Sequence, residues 1–187
     1  MESKPRLARA LIFLLILVDF SLFLLFRKVN LDEGWYLWAS KLVYEGQVIY
    51  RDFAYTQTPL LPYVYGLWQF IAGQGVVSGR ILTVIFGLLT AWIGLLVLER
   101  RWHDYHSPLM NPIGQAIPEN KPGKIVYGLL FGTSFYAIAY LSYTATYGLA
   151  CFLLTAGIYF ALGKNRAADD GLTAGLLALA AATRLST

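Results

Sequence analysis

LLPYVYGLWQFIAG, residues 60–73, decides how this chain is built. As a helix its fourteen residues rise about 21 Å, short of the roughly 30 Å hydrocarbon core of a bilayer. Pro62, Tyr63, Tyr65, Gly66 and Trp68 interrupt its aliphatic residues, a mixture favoured where membrane meets water. The segment is expected to lie along the outer membrane surface. The longer apolar runs on either side then become the membrane crossings.

Composition puts the chain in a membrane class. Of 187 residues, 57% are hydrophobic and 14% charged, with a mean hydropathy of +0.54. A soluble domain is roughly 45–50% apolar and about 25% charged. The net charge of +4 is carried by basic residues scattered along the chain, without the clustered stripe and interleaved aromatics of a nucleic-acid binder. Cys151 is the single cysteine, so there is no disulfide framework and no cysteine-rich metal site. His103 and His106 flank Asp104 and read as part of a polar loop rather than as a metal site.

Five spans are expected, at about 7–26, 78–98, 125–143, 147–163 and 171–187, in an all-α polytopic transmembrane helix bundle. LARALIFLLILVDFSLFLLF (7–26) carries Lys4, Arg6 and Arg9 at its start, which places the N-terminus in the cytoplasm. FRKVNLDE, just beyond it, offers no small-x-small cleavage site, so the helix is retained rather than removed as a signal peptide. The apolar run 125–163 is too long for one helix and is expected to break at SYTATYG (142–148), at the outer face. Residues 99–124 hold Pro108, Pro112, Pro118 and Pro122 and read as an irregular cytoplasmic loop. With this topology nine of the 15 basic residues lie inside and six outside. If 60–73 crossed as well, the two later loops would flip outward against the positive-inside rule. The last run stops at AAATRLST without a closing loop, and the chain is expected to be truncated there.

The topology leaves residues 27–77 outside as one polar, aromatic loop with two surface helices, about 31–45 and 60–73. LDEGWYLW (31–38) opens the first. Asn30 with Glu33 forms a capping-box pattern, and Leu31, Trp35, Trp38 and Leu42 recur at helical spacing as an apolar stripe. Capping is one role for Glu33, beside a catalytic one. Asp32 either favours the positive end of the helix dipole or serves as a general base at the membrane surface. Tyr55, Thr56, Gln57 and Thr58 supply uncharged donors and acceptors beside aromatic rings, an inventory suited to sugar hydroxyls as well as to interfacial anchoring. Arg80 and Arg184 fall at the outer ends of two spans, where an arginine snorkels or binds phosphate. Asp19 is the one acid deep in a span and calls for a partner the sequence does not identify.

DEGWYLWASKLVYEGQVIYRDFAYTQTPLLPYVYGLW (32–68) resembles the first outer loop of polytopic C-type-fold glycosyltransferases that use polyprenyl-phosphate sugars. Its likeness is to the bacterial proteins similar to dolichyl-phosphate-mannose protein mannosyltransferases and aminoarabinose transferases. GRILTVIFGLLTAWIGLLVLERR (79–101) and GLLALAAATRLST (175–187) resemble the same family in order and spacing. The resemblance implies that Asp32, with Glu33 beside it, activates the acceptor and that Arg80 lies near the donor phosphate. It also implies a donor-site stretch at TQTP (56–59). There this chain has uncharged Gln57 and Thr58 where some members carry an acid or a lysine. LSYTATYG (141–148) lacks the arginine and aspartate that many members place at this outer turn.

The expected activity is inverting transfer of a sugar from a polyprenyl-phosphate donor to an acceptor hydroxyl at the outer face of the cell membrane. Asp32 and Glu33 are the catalytic candidates, and Arg80 and Arg184 the donor-phosphate candidates. Trp35, Tyr36, Tyr55 and Gln57 are the substrate-binding candidates. No cofactor is expected beyond the lipid-linked donor, no metal-ligating residue is a candidate while a divalent-metal requirement stays open, and no phosphate-cradling glycine loop occurs. The partners are the lipid-linked sugar, an acceptor and membrane lipids, without nucleic acid. The rival readings are a non-enzymatic transporter subunit or assembly partner, and an inactive shortened relative.

Overall fold

The computed structural model describes residues 3–29, 31–105, 121–163 and 166–184. Among them the chain is all-helical and has no strand beyond one isolated bridge between Ile49 and Phe53. The helices are α1 (Ser3–Phe26), α2 (Leu31–Tyr44), α3 (Leu60–Ala72), α4 (Val76–Tyr105), α5 (Lys121–Thr133), α6 (Phe135–Tyr140), α7 (Thr146–Ala161) and α8 (Arg166–Thr183).

The apolar runs became helices, with boundaries that differ for local reasons. α4 continues past the expected end at 98 through Glu99, Arg100 and Arg101 to Tyr105, residues that form helix readily. Its extension is tied down: Arg100 Nη1 donates to the Tyr159 carbonyl at 2.7 Å and its guanidinium lies over the Tyr159 ring, while Lys124 pairs with Glu99. The expected loop therefore starts at least seven residues later, and its 106–120 portion, with His106, lies outside the described residues. The run 125–143 is interrupted at Ser134, whose side chain accepts the Ala137 N–H and caps α6. The break expected at 142–148 occurs at 141–145, a turn whose residues are all buried. α8 starts at Arg166, five residues before the expected span, and residues 185–187 lie outside the described ones.

α4 is the central element, packed against α7, α3, α2, α1 and α5, while α2 lies on α3 and α7 on α8. Small residues permit these approaches. A Cβ at Gly66 would stand 2.9 Å from the Ser40 carbonyl, so α3 crosses α2 in backbone contact there. A Cβ at Gly79 would meet Leu37 and the Thr144 hydroxyl at 2.5 and 2.6 Å. Around these contacts Tyr36, Ile49, Tyr55, Leu61, Tyr65 and Leu82 form one core that reaches the 141–145 turn. The Tyr65 hydroxyl bonds Thr83 Oγ1 at 2.7 Å, and Trp68 Nε1 donates to the Ser78 carbonyl at 2.8 Å, locking α3 to the start of α4.

α2 presents two opposed faces. Glu33, Tyr36, Leu37 and Ser40 are buried. The apolar stripe of Leu31, Trp35, Trp38 and Leu42 lies on the other side of a helix with 3.6 residues per turn. Leu31 is 93% exposed, and α1, α3 and α4 also turn leucines, Phe70, Ile71 and Trp92 outward. One helix among the described residues, along Val76–Arg101, is long and apolar enough to cross a membrane; Leu14–Phe26, Leu60–Ala72 and Thr146–Ala161 are shorter apolar helices.

Candidate functional site

The opening of α2 sends its two acids in opposite directions. Glu33 is 0% exposed and Arg80 3%, and they meet as a bidentate ion pair. Arg80 Nη2 donates to Glu33 Oε2 at 2.7 Å and Nε to Oε1 at 2.8 Å. Arg80 Nη1 donates to the carbonyls of Leu24 and Arg27 at the end of α1, each at 2.9 Å, and the Thr144 N–H donates to Glu33 Oε1 at 3.2 Å. One pair thus fastens the end of α1, the start of α2, the start of α4 and the 141–145 turn. Charged groups this deep persist only when paired and hydrogen-bonded, as these are.

That geometry joins two of the candidates. The Arg80 guanidinium is turned to Glu33 and two carbonyls instead of a donor phosphate. Glu33 is buried and pairs with Arg80. The proposed capping partner, Asn30, lies outside the described residues. Asp32 is exposed, one residue from the pair that anchors its backbone.

Beyond Asp32 a set of tyrosines and arginines from several elements is linked by contacts. Tyr36 lies one turn along α2, and its hydroxyl is influenced by the Thr146 side chain at the start of α7. Arg184, at the end of α8, donates from Nη1 to Thr146 Oγ1 at 3.3 Å, and its guanidinium lies 4.2 Å from the centre of the Tyr147 ring. Arg27, just past α1, donates to the Ala139 carbonyl and lies 4.3 Å over the Tyr143 ring. Tyr140 packs edge-on against Tyr147 at 4.8 Å between centroids.

The phenols record the charges that face them. Burial raises the Tyr36 hydroxyl above its ordinary value; Asp32 pushes it further up, while Thr146 and Arg184 oppose the shift. Burial also pushes Tyr143 up to about 12, with Asp32 again raising and Arg27 lowering it. Asp32 and Arg184 therefore both act on Tyr36, and Asp32 and Arg27 both act on Tyr143. Both phenols stay protonated near neutrality and remain hydrogen-bond donors. An exposed carboxylate and two arginines lying over tyrosine rings thus share phenol neighbours, groups able to accept a proton and to hold an anion.

The remaining candidates sit apart from this cluster or beside it. Trp35 stacks on Tyr55 at 6.1 Å and 11°, and on its other side meets Trp38 at 5.3 Å, which packs edge-on against Phe53. Tyr55 is buried, its hydroxyl has no partner, and burial raises its pKa. Gln57 contributes its backbone carbonyl, which accepts from Tyr50 Oη at 2.5 Å. Arg27, Tyr140, Tyr143, Tyr147 and Thr146 were not singled out from the sequence. The one local signal was the aromatic density of YLSYTATYG, residues 140–148, which reads equally as interfacial anchoring.

Compared with family models, curated proteins and solved structures, the chain matches none.

Proposed function

We propose that the chain is a multi-pass membrane glycosyltransferase that moves a sugar from a polyprenyl-phosphate donor to an acceptor hydroxyl at the outer membrane face, with inversion. The observation that carries this reading is exposed Asp32, next in sequence to the buried Glu33–Arg80 pair and sharing Tyr36 with Arg184 and Tyr143 with Arg27 as electrostatic neighbours. The outward-turned leucines and aromatics of α1, α3 and α4 support membrane residence, since soluble monomers rarely expose apolar patches beyond a few hundred Å².

Asp32 takes the proton of the acceptor hydroxyl as its oxygen attacks the anomeric carbon. The bond from that carbon to the phosphate oxygen breaks, and its electron pair leaves with the polyprenyl phosphate. The added negative charge is met by Arg184 and Arg27, which take the role first expected of Arg80. Tyr36 and Tyr143 donate hydrogen bonds to sugar or phosphate oxygens, and Trp35 with Tyr55 forms an aromatic wall nearby.

The test is sugar transfer from a radiolabelled polyprenyl-phosphate pool in membranes expressing the chain, wild type against Asp32→Asn. A general base contributes typically 10²–10⁴-fold, so transfer falls by about that factor at equal protein level. Equal transfer by both chains, or none by wild type, overturns the assignment.

A further inference from the structure

A groove lies on the side of α2 away from Asp32. Gly34, Leu37, Trp38 and Lys41 recur at the i, i+3, i+4, i+7 spacing of one helix face and form one wall. Gln69 of α3, the turn residues Gln74 and Gly75, and Val76 at the start of α4 complete it, around about 350 Å³. Neither the proposed base nor the two arginines reach this space.

The chemistry of the lining is asymmetric. Gln69 is 3% exposed, and its carbonyl oxygen Oε1 has no hydrogen-bond partner. A buried acceptor left unmet is costly, so the groove wants an O–H or N–H brought in from outside. Lys41 supplies a cation; among the described residues its ion pair is a loose 3.6 Å contact with exposed Glu45, which a stronger anion displaces. The positive end of the 30-residue helix α4 opens at Val76 in the same groove. Leu37 and the half-exposed indole of Trp38 add an apolar wall, and Phe70, Ile71 and Val77 at neighbouring positions turn outward.

We propose that this groove binds a hydroxyl-bearing phosphate ester. The phosphate sits between Lys41 and the start of α4, and a hydroxyl donates to Gln69 Oε1. The apolar wall and the exposed neighbours favour a phospholipid headgroup of the glycerophosphate type over a free ester, with its acyl chains lying along Trp38, Phe70 and Ile71. This inference shares with the proposed function only the membrane location, and its test reads binding alone.

The full chain in neutral maltoside micelles is titrated with dioctanoyl phosphatidylglycerol, with dioctanoyl phosphatidylcholine and with sn-glycerol 1-phosphate, following bound ligand by native mass spectrometry. Phosphatidylglycerol binds at least tenfold more tightly than phosphatidylcholine, which carries no hydroxyl donor. Lys41→Gln weakens phosphatidylglycerol about tenfold. Gly34→Leu abolishes binding without disturbing the fold, because a Cβ at Gly34 meets nothing within 4 Å and the side chain enters the groove. Binding of sn-glycerol 1-phosphate as tight as the lipid, and lost in Gly34→Leu, supports the site with a free ester as its ligand. Equal affinity of wild type and Gly34→Leu for every probe, or equal binding of the two lipids, overturns the proposal.

Discussion

Arg80 grips both carboxylate oxygens of Glu33, at 2.7 and 2.8 Å, across 47 residues of chain and with neither side chain reaching solvent. Removing one partner leaves a buried charge unpaired, which costs about 3–5 kcal/mol. Glu33→Gln and Arg80→Met are each expected to lose that much, read as thermal unfolding of the purified chain in detergent. The double variant Glu33→Leu with Arg80→Met regains most of it, because no charge is left unpaired. A double variant as unstable as the two single losses added together would show that the pair is not coupled.

The crossing of α2 and α3 leaves no room for a methyl group at Gly66. Its Cβ would lie 2.9 Å from a backbone carbonyl, that of Ser40, which cannot rotate away. Gly66→Ala is therefore expected to destabilise by about 1–3 kcal/mol, the usual cost of overpacking, despite the better helix propensity of alanine. Gly34→Ala, on the same α2–α3 unit but facing open space, is expected to be neutral or slightly stabilising. Unfolding midpoints of the two variants measured side by side separate crowding from propensity.

The helices were legible from the sequence because apolar runs of the right length leave the backbone little choice. The turn at 141–145 announced itself through small and hydroxylated residues inside a run too long for one helix. The Glu33–Arg80 pair was not legible: its members are 47 positions apart, and each has a sufficient local explanation, a cap for one and a snorkelling head for the other. Arg27 fared likewise, as a basic residue flanking a span reads as topology until Tyr143 is found beneath it. Asp32 carried two readings in the sequence, the helix dipole and a general base, and spacing alone did not choose between them. The length of α4 was missed because the charges at 99–101 look like a loop until Tyr159 and Lys124 are seen to receive them.

The loop after α2 carries a pH-dependent tie. Asp52 Oδ2 accepts the Val48 N–H at 2.7 Å, and both carboxylate oxygens accept from Arg51. The Arg51 guanidinium, and then the Val48 N–H, hold the carboxyl down at about 2. A depressed folded-state value contributes order that is present above the ordinary carboxylate range and lost as pH falls toward 2. Amide exchange at Val48 is expected to be slow at pH 6 and to lose its protection as pH drops from about 4 to about 2. Asp52→Asn should exchange faster at pH 6 with no such transition. Protection in wild type that stays flat across that window would remove the carboxylate as its cause.

Arg184 and Arg27 lie over Tyr147 and Tyr143 respectively, and their geometries predict different sensitivities. Arg184 both stacks on Tyr147 and donates to Thr146, so a lysine keeps the charge but loses the planar stack and the directed hydrogen bond. In the proposed transfer, Arg184→Lys is expected to lower kcat about tenfold with KM little changed, as fits a contact that strengthens when the leaving phosphate gains charge. Arg184→Gln lowers it by about 10²–10³-fold, the range found when one stabilising donor is lost. Arg27 also fastens the turn through the Ala139 carbonyl, so Arg27→Gln should lose both activity and thermal stability. If Arg184→Gln instead raised KM alone, the arginine would be binding the donor equally in ground and transition states. Its place would then serve recognition rather than departure of the phosphate.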